Sequence, residues 1–172
     1  MVKFICHNFS AHKNYRILDV GCGNGHLLNE LFREGFHNLV GTDYSLKSIE
    51  LARSIAASHS MNDIDFIHAD LLNEKFNIKA DIICDKGTFD AVSLGPLLEG
   101  DVSPDDVFIS RIRDFLSDSG IFLITSCNWT SSELRSKFEK YKMKAIEEIE
   151  YPQVMFGGVK GQNVTTIAFG KA

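Results

Sequence analysis

The sequence predicts a single α/β domain over residues 1–172: a doubly wound, mostly parallel sheet with helices on both faces and an antiparallel strand pair at its C-terminal end. Three observations predict it. Short apolar runs alternate with stretches of helical periodicity along most of the chain. Several of these runs close on an acid, with Asp19, Asp43, Asp70 and Asp85 in such places. The last two runs are joined by a Gly-containing loop, Phe156-Gly157-Gly158, with no helix between them, as an antiparallel pair allows and a parallel pair does not.

Taken in order, residues 1–14 read as a helix end and a loop, with Phe4, Ile5 and Phe9 giving an incomplete apolar face. Tyr15 to Val20 is a short strand. Leu27, Leu28, Leu31 and Phe32 then recur at helical spacing, and Gly35 supplies a stop. Leu39 to Asp43 is the second strand. Ser45 caps a helix predicted to put Leu46, Ile49, Ala52 and Ala56 on one face. Ile64 to Asp70 is the third strand, and Leu71 to Lys79 is too short for a long crossover helix. Ala80 to Asp85 is the fourth strand. Lys86 to Val102 contains Gly and Pro and reads as irregular, with room for a short helical turn.

Ser103-Pro104-Asp105-Asp106 has the features of a helix start: a capping residue, Pro in the first turn and acids against the dipole. Phe108, Ile112, Phe115 and Leu116 follow on one face, and Ser119-Gly120 is expected to end that helix. Ile121 to Thr125 is an unbroken apolar run, the pattern of a strand covered on both faces. Thr130-x-x-Glu133 is a capping box ahead of Leu134 and Phe138. Lys144 to Glu150 and Val164 to Phe169 are the final strands. Phe89, Phe122 and Phe138 are assigned to the core.

With 172 residues, 44% of them hydrophobic, one domain can bury an ample core. The net charge of −5 offers no basic face for direct nucleic-acid contact and favours a basic protein partner. No stretch approaches the ~18 apolar residues of a membrane span. Cys6, Cys22, Cys84 and Cys127 are far apart without a Cys-x-x-Cys pair, which predicts reduced thiols, no metal site and a cytoplasmic protein. His26, His37, His59 and His68 lack ligand spacing.

The stretch that carries chemistry is Ile17-Leu18-Asp19-Val20-Gly21-Cys22-Gly23-Asn24-Gly25: a strand, a tight turn and a helix start. Glycine admits positive φ and close approach of a ligand, and the helix start presents free N–H groups. A dinucleotide loop wants Gly-x-Gly-x-x-Gly. Here the sixth position is His26, and no base lies in the loop to meet a phosphate. The turn therefore suits a nucleotide-like cofactor without a phosphate. Asp43 can accept both hydroxyls of a ribose, and Asp70 can accept an adenine amine. Asp43, Asp70 and Asp85 are expected to face one crevice beside the glycines, since ligands of such sheets bind at the carboxyl ends of the strands.

Asp-x-Gly-x-Gly-x-Gly resembles the first motif of the S-adenosylmethionine-dependent methyltransferases with a Rossmann-like sheet. Two further stretches, Asp85-Lys86-Gly87-Thr88-Phe89-Asp90 and Ile124-Thr125-Ser126-Cys127-Asn128-Trp129-Thr130, with Gly41-Thr42-Asp43-Tyr44-Ser45, resemble the protein-lysine methyltransferases that modify translation elongation factor 1-alpha. The resemblance runs from about Tyr15 to the end. It implies that S-adenosylmethionine lies against Asp19, Gly21, Cys22, Gly23, Asn24, Gly25, Asp43, Tyr44, Asp70, Leu71 and Asp85. It also implies a protein substrate, elongation factor 1-alpha, and a monomer with no membrane or nucleic-acid partner.

The acceptor lysine is then expected at the fourth strand end. Asp85 would orient it and accept its proton, Lys86, Gly87 and Thr88 would shape its channel, and Asn128 and Trp129 would line it, the indole by a cation–π contact. Members of that family carry a further N-terminal segment, and Met1 falls where its helix would be nearly finished, which implies an incomplete lid. Read from the residues alone, a small-molecule methyltransferase and a cofactor-binding form without turnover remain open beside the protein-lysine enzyme.

Overall fold

The computed structural model describes residues 1–73, 77–150 and 164–172, and the backbone of the pairs 155–156 and 159–160. The fold follows the alternation of the sequence: α1 (Val2–Phe9), β1 (Ile17–Val20), α2 (His26–Arg33), β2 (Leu39–Asp43), α3 (Leu46–Ser58), β3 (Asp65–His68), β4 (Ala80–Lys86), α4 (Thr88–Ser93), α5 (Pro104–Phe115), β5 (Leu116–Ser126), α6 (Ser131–Glu139), β6 (Met143–Glu148), β7 (Met155–Phe156), β8 (Val159–Lys160) and β9 (Thr165–Lys171). Seven of the strands form one sheet in the order β3-β2-β1-β4-β5-β9-β6. β1 to β5 run parallel, and β9 is inserted antiparallel between β5 and β6. The order reverses between β1 and β4, so the carboxyl ends of those strands open the crevice where doubly wound sheets take ligands.

The sheet has a core on each face. One holds Leu18, Val20, Ile83, Phe89, Phe108, Phe122, Phe138 and Phe169 under α4, α5 and α6. Phe138 stands with its ring centroid 4.7 Å from Phe169 and 5.5 Å from both Phe89 and Phe122. The other holds Ile17, Leu28, Leu31, Ile49, Ala52, Phe66, Ile82 and Cys84, with Met1, Phe4 and Phe9 packed against it. Cys6, Cys22 and Cys84 are free thiols. Among the described residues no helix is long and apolar enough to cross a membrane.

Several local expectations change. Lys86 to Val102 contains a true short helix, α4. The helix expected to run to Ser119-Gly120 stops at Phe115, and Leu116 already pairs with Ala80 of β4. Gly120 serves the strand instead: a Cβ there would lie 2.9 Å from the Asp81 carbonyl oxygen. Ser103 stands at the N-cap position of α5, but its hydroxyl donates to the Asp105 carboxylate rather than capping the helix. Leu46, in the first turn of α3, is 51% exposed, and the buried face of that helix begins at Ile49. β3 is only four residues long, with one of them, Phe66, buried, as suits an edge strand, and Asp70 follows it in a turn. Gly157 and Gly158 lie outside the described residues.

The capping box of α6 is formed as predicted. Thr130 Oγ1 accepts from the Glu133 N–H, and the Glu133 carboxylate accepts from the Thr130 N–H at 2.9 Å. Thr130→Ala is expected to lower stability by about 1 kcal/mol, which calorimetry would register as a melting point about 2–4 °C lower.

Candidate active site

The glycine loop is built by three residues in the left-handed region, each for its own reason. Gly21 has φ +66°, and a Cβ there would sit 2.0 Å from Thr88 Oγ1. Thr88 in turn donates that hydroxyl to the Val20 carbonyl at 2.9 Å, tying the β4 side of the crevice to the end of β1. Gly25 has φ +74°, and its Cβ would meet the Phe66 ring at 2.7 Å. Gly23, with φ +54°, is different: a Cβ on it would meet nothing within 4 Å. Gly21 and Gly25 are needed by the protein's own packing, whereas the face of Gly23 is open.

Around this loop the acids divide by whether donors reach them. Asp43 accepts from the Gly23 N–H at 2.9 Å on one oxygen and from the Ser45 N–H at 2.8 Å on the other. One lone pair on each oxygen remains, which fits a vicinal diol. Asp70 accepts from the N–H groups of Leu72 and Asn73 and from the Asn73 side chain. Burial alone would raise its pKa, but the three donors outweigh it and hold the group below the usual range. It caps its own turn, and one lone pair on Oδ2 is left for an amine. The Ala69 N–H donates to the Asp43 carbonyl, which sets this turn beside β2.

Asp19 has no hydrogen-bond donor on its carboxylate among the described residues, although the side chain is buried. Burial, then the neighbouring Asp85, push its pKa up to about 8; Lys86 pulls against them and Asp43 adds to them. A buried carboxylate without donors beside an open glycine face is what a cationic ligand would neutralise. Cys22 lies beneath the loop, its thiol well above the ordinary value through burial and the charges of Asp19 and Asp43. Asn24 accepts from the His26 N–H at 3.2 Å, just ahead of the Gly25 N-cap of α2. Tyr44 is 77% exposed at the end of β2 with its ring free for a ligand, and His68 bonds its carbonyl. Leu71 is half-buried in the turn after Asp70.

Asp85, expected to orient the acceptor lysine and take its proton, lies against the start of α4. It is fully buried and accepts from the Thr88 N–H at 3.0 Å and the Phe89 N–H at 2.9 Å. Burial raises its pKa to about 7 against those bonds. Both bonds tie it to the first turn of α4. Lys86 is exposed at the strand end.

Trp129, expected to line the acceptor lysine, packs against Phe89. Its ring lies 5.5 Å from Phe89 and takes the Lys137 ammonium at 5.3 Å, so its cation–π partner belongs to the protein. Asn128 is exposed past β5 and remains available.

The two specific sequence motifs are one hydrogen-bonded unit. Asp90 of α4 accepts from the Ser126 hydroxyl and from the Cys127 N–H, the latter at 2.8 Å. Ser126 Oγ in turn accepts from the N–H groups of Asn128 at 3.1 Å and Trp129 at 2.9 Å. The loops after β4 and β5 are thereby locked together. Asp90 and Ser126 were not singled out from sequence; their presence in the two motifs was the available signal, but 36 residues separate the partners. Ser126→Ala strands one carboxylate oxygen and two N–H groups, and is expected to cost about 1–3 kcal/mol. Denaturation followed through the sole tryptophan, which sits on this unit, would measure it; unchanged stability would mean that other contacts hold the loop.

A methyltransferase-domain family matches residues 11–169. Protein-lysine N-methyltransferase EFM4 of Saccharomyces cerevisiae is 40% identical, over 99% of this chain and 78% of that protein. EEF1A lysine methyltransferase 2 of Danio rerio is 40% identical, over 91% of this chain and 66% of that protein. Among solved structures, the TehB-like methyltransferase of Corynebacterium glutamicum shares the fold with a TM-score of 0.73 at 20% identity, covering 99% of this chain and 86% of that one. The chain belongs to the methyltransferase family that includes EFM4 and EEF1A lysine methyltransferase 2.

Proposed function

We propose that the chain is an S-adenosylmethionine-dependent protein-lysine N-methyltransferase acting on translation elongation factor 1-alpha, as a monomer in the cytoplasm. The observation that carries the cofactor is Asp19, a buried carboxylate without donors beside the open face of Gly23. The names of the relatives, which describe lysine methylation of EEF1A, support the acceptor.

In this reading Asp19 takes the cofactor's ammonium, Gly23 lets the backbone approach it closely, Asp43 accepts the ribose hydroxyls, and Asp70 and Leu71 meet the adenine beside Tyr44. When bound, the cofactor supplies a methyl group on a sulfonium, open to in-line displacement. The chain's own residues would have to hold an uncharged lysine nitrogen in line with that methyl group, with the proton of the amine lost to solvent. A lysine of ordinary pKa costs about 4 kcal/mol to deprotonate at neutral pH. Burial beside a cation lowers that cost, whereas a carboxylate at the amine would raise it. The withdrawal of Asp85 under α4 therefore suits the chemistry. Asp85, Asp90 and Ser126 act as positioning residues that hold the loops after β4 and β5, with Lys86 and Asn128 at their rims, so that the gain comes from orientation.

Labelled cofactor and purified elongation factor should give label on lysine. Label on small amines, with none on the factor, would overturn the acceptor assignment.

Asp19 gives a second test. Its pKa in the folded protein lies above the ordinary value, so the fold binds its proton more tightly than the unfolded chain does. That contribution destabilises the cofactor-free protein progressively as pH rises from about 4 to about 8. A cationic ligand prefers the ionised form, so binding below about pH 8 expels the proton. Cofactor affinity should rise between about pH 6 and pH 8, and calorimetry in two buffers of different ionisation enthalpy should show proton release near pH 7. Asp19→Asn should abolish the release, weaken cofactor binding and stabilise the cofactor-free fold by about 1–3 kcal/mol. Unchanged affinity in that variant would remove Asp19 from the cofactor site.

A further inference from the structure

The loop after α4 keeps large apolar side chains in water without need. Leu94 is 80% exposed, Leu97 60% and Val102 42%. Single exposed apolar residues are ordinary, but here three stand close together in sequence on one loop. The loop is also braced. The Leu98 N–H donates to the Val102 carbonyl at 2.8 Å across an antiparallel bridge. Gly100 and Asp101 turn it, with φ of +78° and +58°. The Leu94 and Gly95 N–H groups donate back to Ala91 and Val92. One end runs into α5. The other leaves α4, whose first turn hangs on Asp85 at the end of β4, and six helical residues span only about 9 Å. The loop is a hydrogen-bonded apolar shelf that starts one short helix away from the end of β4.

Its charge is one-sided. No Lys or Arg stands between Lys86 and Arg111, whereas five acids do. Asp90 is engaged by Ser126 and Cys127, and Asp105 by Lys137. Glu99 and Asp101 remain exposed at the tip of the shelf.

We propose that residues 94–102 dock the methyl-accepting protein. Leu94 and Leu97 cover an apolar side chain near the target lysine, and Glu99 and Asp101 attract the basic surface around it. This rests on the protein-lysine methyltransferase reading, because only a macromolecular acceptor spans both the crevice and the shelf.

The full chain would be compared with Leu94→Ser/Leu97→Ser and Glu99→Lys/Asp101→Lys, all four positions being exposed and expected to leave the melting point unchanged. The measurements are KM and kcat for elongation factor 1-alpha, affinity for S-adenosylmethionine, and direct binding of the factor in the presence of S-adenosylhomocysteine. Each variant should raise KM and Kd for the factor about tenfold and leave cofactor affinity alone. The defect of the charge variant should shrink at high salt.

Unchanged KM and Kd in both variants would overturn the docking site while leaving the activity reading intact. A wild-type chain that binds the factor through this loop without methylating it would preserve the docking site and overturn the activity. A wild-type chain that neither binds nor methylates the factor would overturn both. A dimer by light scattering that dissociates in the serine variant would make the shelf a contact between copies of this chain, and would overturn the proposal.

Discussion

A carboxylate removed from water must find donors, and the crevice is organised by where it does. At the ends of the parallel strands, Asp43 takes the Gly23 and Ser45 N–H groups, Asp85 takes those of Thr88 and Phe89, and Asp90 takes Ser126 and Cys127. Each acid anchors a loop that would otherwise leave the sheet unguided. Charge-assisted bonds of this kind are each worth about 1.5–3 kcal/mol, enough in sum to hold the site rigid before any ligand arrives. Asp19 stands apart as a buried strand-end acid to which no hydrogen-bond donor comes among the described residues. The same physics that makes its neighbours structural makes it a place for a cation.

This division separates holding from binding. The glycine loop shows the same split, since a Cβ on Gly21 or Gly25 would strike Thr88 or Phe66, while one on Gly23 would meet nothing within 4 Å among the described residues. Methyl transfer asks little of a protein beyond orientation and an uncharged amine. A site built from backbone, one buried charge and locked loops meets that demand without an acid–base pair at the nitrogen. The burial of Asp85 becomes intelligible in that light. Its place at the strand end served α4, and α4 serves the crevice through Thr88, whose hydroxyl reaches the end of β1.

The architecture was largely legible in the sequence, because it rests on local and repetitive signals. Apolar runs of strand length, helical spacing in α2 and α6, and the Thr130–Glu133 box each depend on a few adjacent residues. The glycine turn and the acids at Asp43 and Asp70 were legible for the same reason. The end of α5 was not. Periodicity carried the helix on to Ser119-Gly120, but Leu116 finds a better partner in Ala80 of β4, and strand pairing across 36 residues overrode the local pattern.

What the sequence determined by itself was the order of elements, the family of the chain and the residues that crowd the crevice. The order of elements follows from composition and spacing along the chain, and the family from the resemblance of its motifs. Only the tertiary structure decided which way those residues face. Asp85 turns under α4, Trp129 turns onto Phe89 and Lys137, and Ser126 and Asp90 meet. Each outcome depends on which donors, rings and charges the fold brings within reach. Two acids at equivalent strand ends look alike as letters; the donors around them make one a cap and leave the other open to a ligand.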